Sequence, residues 1–334
     1  MQVLSSRFVR PWHSFVSRLC SHLPFSVAEE LIVLGVLLAL IYLIVSVTAL
    51  IRKPDKLPRL YRLILSCVTA FSVIYGGFCL FWGVYYYSAD FEAQSGICAA
   101  PSDTAQLLAV TQYFTDLVNT YDAQITRNPV GSFAEDIDDI FSRSSELYKA
   151  VEQSVPCLRG DDIAAKPFFF SRFMSYIDFT GFFFPFTGEA NINVDSPPAL
   201  IPSTIAHELA HQRGVAEEDE ANFVAVLASL ESGDPVYSYS SCLMAYIYLG
   251  NALYKADYEA WAENYGRLGE GPRRDLSDNN AYWAQFDTPV NTISDSVYTG
   301  FLQSYGQTMG LQTYGKCVDL LITYYYSLTT EATA

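Results

Sequence analysis

The chain has 334 residues, 51% of them hydrophobic, a positive mean hydropathy and a net charge of −16. A chain so long and apolar exceeds one simple soluble domain, and its acidity excludes an electrostatic case for nucleic acid as a partner. Membrane segments are the first thing to look for.

Residues 1–28 carry Arg7, Arg10 and Arg18 and read as an N-terminal interfacial segment. Residues 31–51 form an uncharged apolar run of 21, and residues 63–87 a second of 25. Each is long enough to cross a hydrocarbon core as a helix, which predicts two transmembrane helices over 29–51 and 63–87 and a lipid bilayer as partner. The loop 52–62 holds Arg52, Lys53, Lys56, Arg59 and Arg62 against one acid, Asp55, and is expected on the cytoplasmic side. Past the second span no basic residue appears until Arg127, while Asp90, Glu92, Asp103, Asp116 and Asp122 accumulate. Residues 88–334 are therefore expected as an extracytoplasmic domain. Cys98, Cys157, Cys242 and Cys317 fall in it, and two disulfide bridges or four buried thiols are both open.

The exterior domain reads as mainly α. Residues 101–126 place Leu107, Val110, Phe114, Leu117, Val118 and Tyr121 at three- and four-residue steps. Ser132 to Glu135 fits a capping box, with Ile137, Ile140, Phe141, Leu147 and Val151 continuing the apolar face. Helical patterns recur over 200–213, 216–230, 239–265 and after Asp287 and Leu311, with breaks at Gly233 to Pro235 and Gly269 to Pro272. The exception is 168–193, rich in phenylalanine and punctuated by proline and glycine, which predicts a short edge strand or hairpin. Phe186, Thr187, Gly188, Glu189, Ala190 and Asn191 are the candidate edge for an extended substrate, against an equal reading as an aromatic plug.

His207-Glu208-Leu209-Ala210-His211 fits the zinc-peptidase signature HExxH, in a chain with only four histidines. On a helix, His207 and His211 lie on one face and can share Zn2+, with Glu208 beside them as general base. A catalytic zinc has three protein ligands and keeps one position for water. The remaining histidines, His13 and His22, precede the spans, so a carboxylate is the expected third ligand. Glu218 and Glu220 are the contenders, in an acidic run after Gly214 where a helix can return alongside, past the small Ala221 and Ala225.

The run Glu218-Asp219-Glu220-Ala221-Asn222 resembles the Glu-x-Glu-Ala-Asp/Asn element that follows HExxH in gluzincin-type peptidases. The resemblance implies Glu218 as zinc ligand, Glu220 being the alternative, and Asn222 as the polar residue that orients a zinc-bound histidine. The wider pattern is similar to a bacterial membrane family catalogued as domain of unknown function 3810. It comprises two N-terminal spans, Pro-Phe-Thr-Gly-Glu-Ala-Asn at 185–191, HELAHQRG, Glu-Asp-Glu-Ala-Asn-Phe and Thr313-Tyr314-Gly315. That likeness covers nearly the whole chain and implies a bacterial cell membrane location.

Together these readings predict a zincin-like, membrane-anchored metallopeptidase acting on extracytoplasmic peptides or proteins, with a zinc-activated water and Glu208 as base. Tyr314, Tyr246 and Arg213 are candidate oxyanion donors. The rival is a receptor or scaffold in which zinc only stabilises the fold, which would require a fourth protein ligand.

Overall fold

The computed structural model describes residues 1–305 and 314–331. Its N-terminal helix α1 (Arg10–Ser21) is amphipathic, burying His13, Ser17 and Cys20 while exposing Trp12, Phe15 and Leu19. Arg10 donates to the carbonyls of Cys157, Arg159 and Arg213, and Arg18 pairs with Asp161. The positive charge ahead of the first apolar run is therefore largely engaged by the protein itself.

Two helices follow that are long and apolar enough to cross a membrane: α2 (Val27–Arg52) and α3 (Lys56–Phe78), the latter continuing through a π-helical turn to Gly83. Neither buries its apolar window in the protein. The connection is shorter than charge alone predicted. Only residues 53–55 lie outside helix, and Lys56, Arg59 and Arg62 occupy the first two turns of α3, where long side chains reach past the helix end.

The rest is mainly α with one small sheet. Its core joins α4 (Thr104–Asp122), α7 (Ile201–Gln212), α8 (Glu218–Ser232), α9 (Pro235–Ala256) and α13 (Tyr314–Glu331). Helix α9 packs along α4, α7 lies between α8 and α9, and α13 closes on α4 and α8. Phe114, Ile205, Phe223, Leu243 and Leu320 meet in this core with no solvent exposure. Each such side chain contributes roughly 1.5–3 kcal/mol on burial.

Several local expectations change. Pro235 opens α9 behind Asp234, whose carboxylate accepts from the Val236 and Tyr237 amides, because proline is tolerated in a first turn. The predicted 239–265 helix divides at Asp257, which caps α10 (Tyr258–Gly266). Gly269 and Pro272 also begin a helix, α11 (Glu270–Trp283), before α12 (Pro289–Ser304). Ser132 caps nothing; residues 127–133 form a turn bridged by Arg127 and Phe133, and Asp136 caps the seven-residue α5 (Ile137–Arg143). All seven cysteines are free, so neither bridge forms, and of Cys98, Cys157, Cys242 and Cys317 only the last two are buried.

The phenylalanine-rich stretch holds β1 (Lys166–Phe168), α6 (Ser171–Tyr176), β2 (Gly181–Phe184) and β3 (Glu189–Asn193). The sheet order is β1-β3-β2, with β1 parallel and β2 antiparallel to β3. It packs on α7.

Candidate metal centre

Helix α7 turns Ile201, Ile205 and Leu209 to the core at four-residue steps and presents His207, Glu208 and His211 elsewhere. The two imidazole rings stand 4.6 Å apart, nearly perpendicular. Gly214 ends the helix at φ +88°, and Val215 N–H closes the turn on the Ala210 carbonyl. A side chain at Gly214 would also meet the Tyr85 ring at 3.0 Å. That turn delivers the Val215 carbonyl to His211 Nδ1 at 2.7 Å. The contact requires a proton on Nδ1, which leaves the neutral ring's lone pair on Nε2.

Helix α8 returns beside α7 with Ala221, Ala225 and Ala228 fully buried. Its first turn sets Glu218 Oε2 3.1 Å from His207 Nε2 and 3.6 Å from His211 Nε2. One ligand atom from each residue lies within 4.8 Å of the others. Carboxylate and imidazole lone pairs pointed at one another repel unless a proton or a cation sits between them. Burial disfavours a charged His211, but Glu218 and Glu208 outweigh it and carry the imidazole to about 9, while Glu218 is held well below the carboxylate range despite its burial. This donor set fits a divalent cation, which would take the proton's place. Glu220 lies apart: its carboxylate accepts from the Phe91 and Glu92 amides and from Lys316 Nζ at 3.0 Å. Burial, set against Lys316, pushes it up to about 7.

Glu208 is buried, and burial pushes its carboxyl up. Its Oε2 has no hydrogen-bond partner among the described residues. Gly181 on β2 lies against it so closely that a Cβ there would be 2.8 Å from Glu208 Cγ. These groups line a cavity of about 680 Å³. Its walls draw on widely separated parts of the chain, among them Trp82 beyond α3, Phe182 on β2, Met244 on α9, Trp283 on α11 and Tyr298 on α12. Trp82 meets the His211 ring edge-on at 5.5 Å. The Tyr298 hydroxyl donates to Glu218 Oε1 at 2.7 Å.

Tyr298 escaped the sequence reading, being 80 residues from Glu218 in a chain of 24 tyrosines. The proposed oxyanion donors lie elsewhere. The Arg213 guanidinium stacks over Tyr148 at 4.1 Å beyond the cavity wall, and Tyr246 is buried facing Gly250 and Trp261. The side chain of Tyr314 is outside the described residues. Asn222 lines the cavity, but the bond that orients His211 comes from Val215.

The candidate substrate edge also moves. β3 is the central strand, so Glu189, Ala190 and Asn191 have no free edge, and Phe186, Thr187 and Gly188 form the turn that feeds it. Strand order is set by tertiary pairing, which a local pattern does not carry. Glu189 instead accepts from the Val27 and Ala28 amides at the start of α2 and pairs with Lys166 Nζ at 2.7 Å. The free edge belongs to β2. Asn193 N–H donates to the Thr180 carbonyl, which sets the ladder's phase and turns the main-chain groups of Gly181 and Phe183 outward. The Phe183 amide accordingly points at the Glu208 carboxylate.

No curated protein and no solved structure matches the chain significantly. Residues 5–322 match the family described as "Protein of unknown function (DUF3810)", and this chain, with its paired histidines, facing glutamate and two apolar helices, belongs to that family.

Proposed function

We propose that the chain is a membrane-anchored zinc metallopeptidase that hydrolyses extracytoplasmic peptides or proteins. The reading is carried by one observation: His207 Nε2, His211 Nε2 and the Glu218 carboxylate converge beside Glu208 Oε2, which has no hydrogen-bond partner among the described residues. Three protein ligands without a fourth among the described residues is the composition of a catalytic rather than a structural zinc site. When bound, zinc supplies a Lewis acid that polarises the scissile carbonyl and acidifies water. Glu208 takes the proton from the attacking water; the water oxygen bonds to the carbonyl carbon, the C–N bond breaks, and Glu208 returns the proton to the departing amine. Tyr298 holds Glu218, and the outward main-chain groups of Gly181 and the outward Phe183 carbonyl offer strand pairing to an extended substrate. The basic cluster of Lys53, Lys56, Arg59 and Arg62 between the apolar helices supports a cytoplasmic turn and a catalytic domain on the opposite side.

The test uses the full chain in lipid nanodiscs, wild type and Glu208→Gln, with bound zinc measured by mass spectrometry and cleavage of a peptide library by product sequencing. Equal zinc, with cleavage lowered by roughly 10²–10⁴-fold in the variant, is expected. Equal zinc and no cleavage by either protein would establish the scaffold reading instead.

A further inference from the structure

The free edge of β2 joins two places that are far apart in function. At one end, Gly181 lies against Glu208. Beyond the other end, the Phe186 ring sits where a Cβ on Gly77, inside the second apolar helix, would approach it to 2.9 Å. Three steps of extended strand from Gly181 to Phe184, roughly 10 Å, and the turn that follows separate the two. The same helix supplies Phe78 and, just after it, Trp82 and Tyr86 to the cavity wall. Aromatic residues cluster here as they do where membrane helices meet water. Phe169, 85% exposed, Phe170 and Phe173 form an apolar apron at the opposite end of the sheet, just past β1. The amides of Phe169 and Phe170 donate to Glu29 in the first turn of α2, which fixes the apron at the level where that helix begins. A large exposed apolar patch at such a boundary marks a contact with lipid or with an apolar chain.

Building on the peptidase reading, we infer that the substrate is a membrane-embedded polypeptide. Its segment just outside the bilayer lies as an extended strand along β2, entering at the Phe184 to Phe186 end and reaching Glu208 at Gly181. The scissile bond then falls within about ten residues of the point where the substrate leaves the membrane, given the rise of an extended chain. A freely diffusing peptide lacks the membrane segment that this entry route accommodates.

The full chain is co-reconstituted in liposomes with one-span polypeptides that carry a single test segment either about 5 or about 25 residues from the helix end, spacings chosen from the strand rise. Because both substrates share the vesicle with the enzyme, anchoring alone favours neither strongly. The near segment should be cleaved about tenfold faster or more, and the free segment peptide more slowly still at equal bulk concentration. Equal rates for near and distant segments, or a free peptide cleaved as fast as the near one, would overturn the inference and leave the peptidase reading intact. In parallel, Glu208→Gln protein with benzoylphenylalanine in place of Phe182, or of Thr180 should the first not retain zinc, should capture the near segment on illumination. Absence of capture overturns the inference. Capture without hydrolysis of any substrate by the wild type would uphold the bound segment and discard the peptidase.

Discussion

Glu218 and Glu220 leave the first turn of α8 two residues apart and meet opposite surroundings. Glu220 is buried against Asp90 and Glu92, and the chain supplies its own counter-charge there, Lys316, which reaches Glu92, Glu217 and Glu220 at 2.7–3.0 Å. Glu218, half-buried, faces the Nε2 atoms of two imidazoles, and no lysine or arginine reaches it among the described residues. Both are groups of three potential metal ligands by geometry alone. The difference is that one is already neutralised from within, whereas the other is completed only by something from outside. Acidic clusters are read correctly only when the cations around them are counted.

The largest expected effect breaks this contrast at the ligand. Glu218→Gln should weaken zinc binding by more than about 100-fold, beyond what outer partners contribute, as measured by competition with a chelating dye. Glu220→Gln, in the same assay, should leave zinc affinity unchanged. Its cost should appear in unfolding, at about 1–3 kcal/mol, because buried amides and Lys316 lose a charged acceptor. If Glu220→Gln releases zinc and Glu218→Gln does not, the assignment is reversed.

Tyr298→Phe sharpens the same contrast by removing the hydroxyl that supports Glu218. About tenfold weaker zinc binding is expected, with little change in the unfolding midpoint. The smallest effect concerns a buried group with neither anion nor cation beside it. Burial lowers His13 from its ordinary 6.5 to about 4, a Pro185 backbone contact opposing only part of the shift. The unfolded chain therefore binds a proton that the folded chain refuses between those values, so stability is complete above pH 6.5 and declines as pH falls towards 4. Near pH 5.5 the loss should be about 1 kcal/mol, seen as a lower melting midpoint in wild type and abolished in His13→Gln.

The histidine pair was legible because helical phase alone puts residues four apart on one face. The difference between Glu218 and Glu220 was not derivable from phase, since both lie in one turn; it comes from Lys316, nearly a hundred residues away, which pairs with Glu220. Proline and glycine misled where they begin helices rather than end them, at Pro235 and at Gly269 to Pro272. The aromatic stretch was recognisable as extended, yet the substrate edge was assigned to the turn and central strand, because strand order is invisible locally. Tyr298 carried no signal at all: its role arises from α12 crossing the site.

Glu189 takes the amides that open α2, and Trp82, just past α3, touches His211. The two apolar helices are thus staves of the vessel rather than a leash on it. Cutting the chain at residue 88 would remove the Trp82 wall and strand Glu189 with one partner, Lys166, so the smallest piece that contains the whole site is very nearly the whole chain.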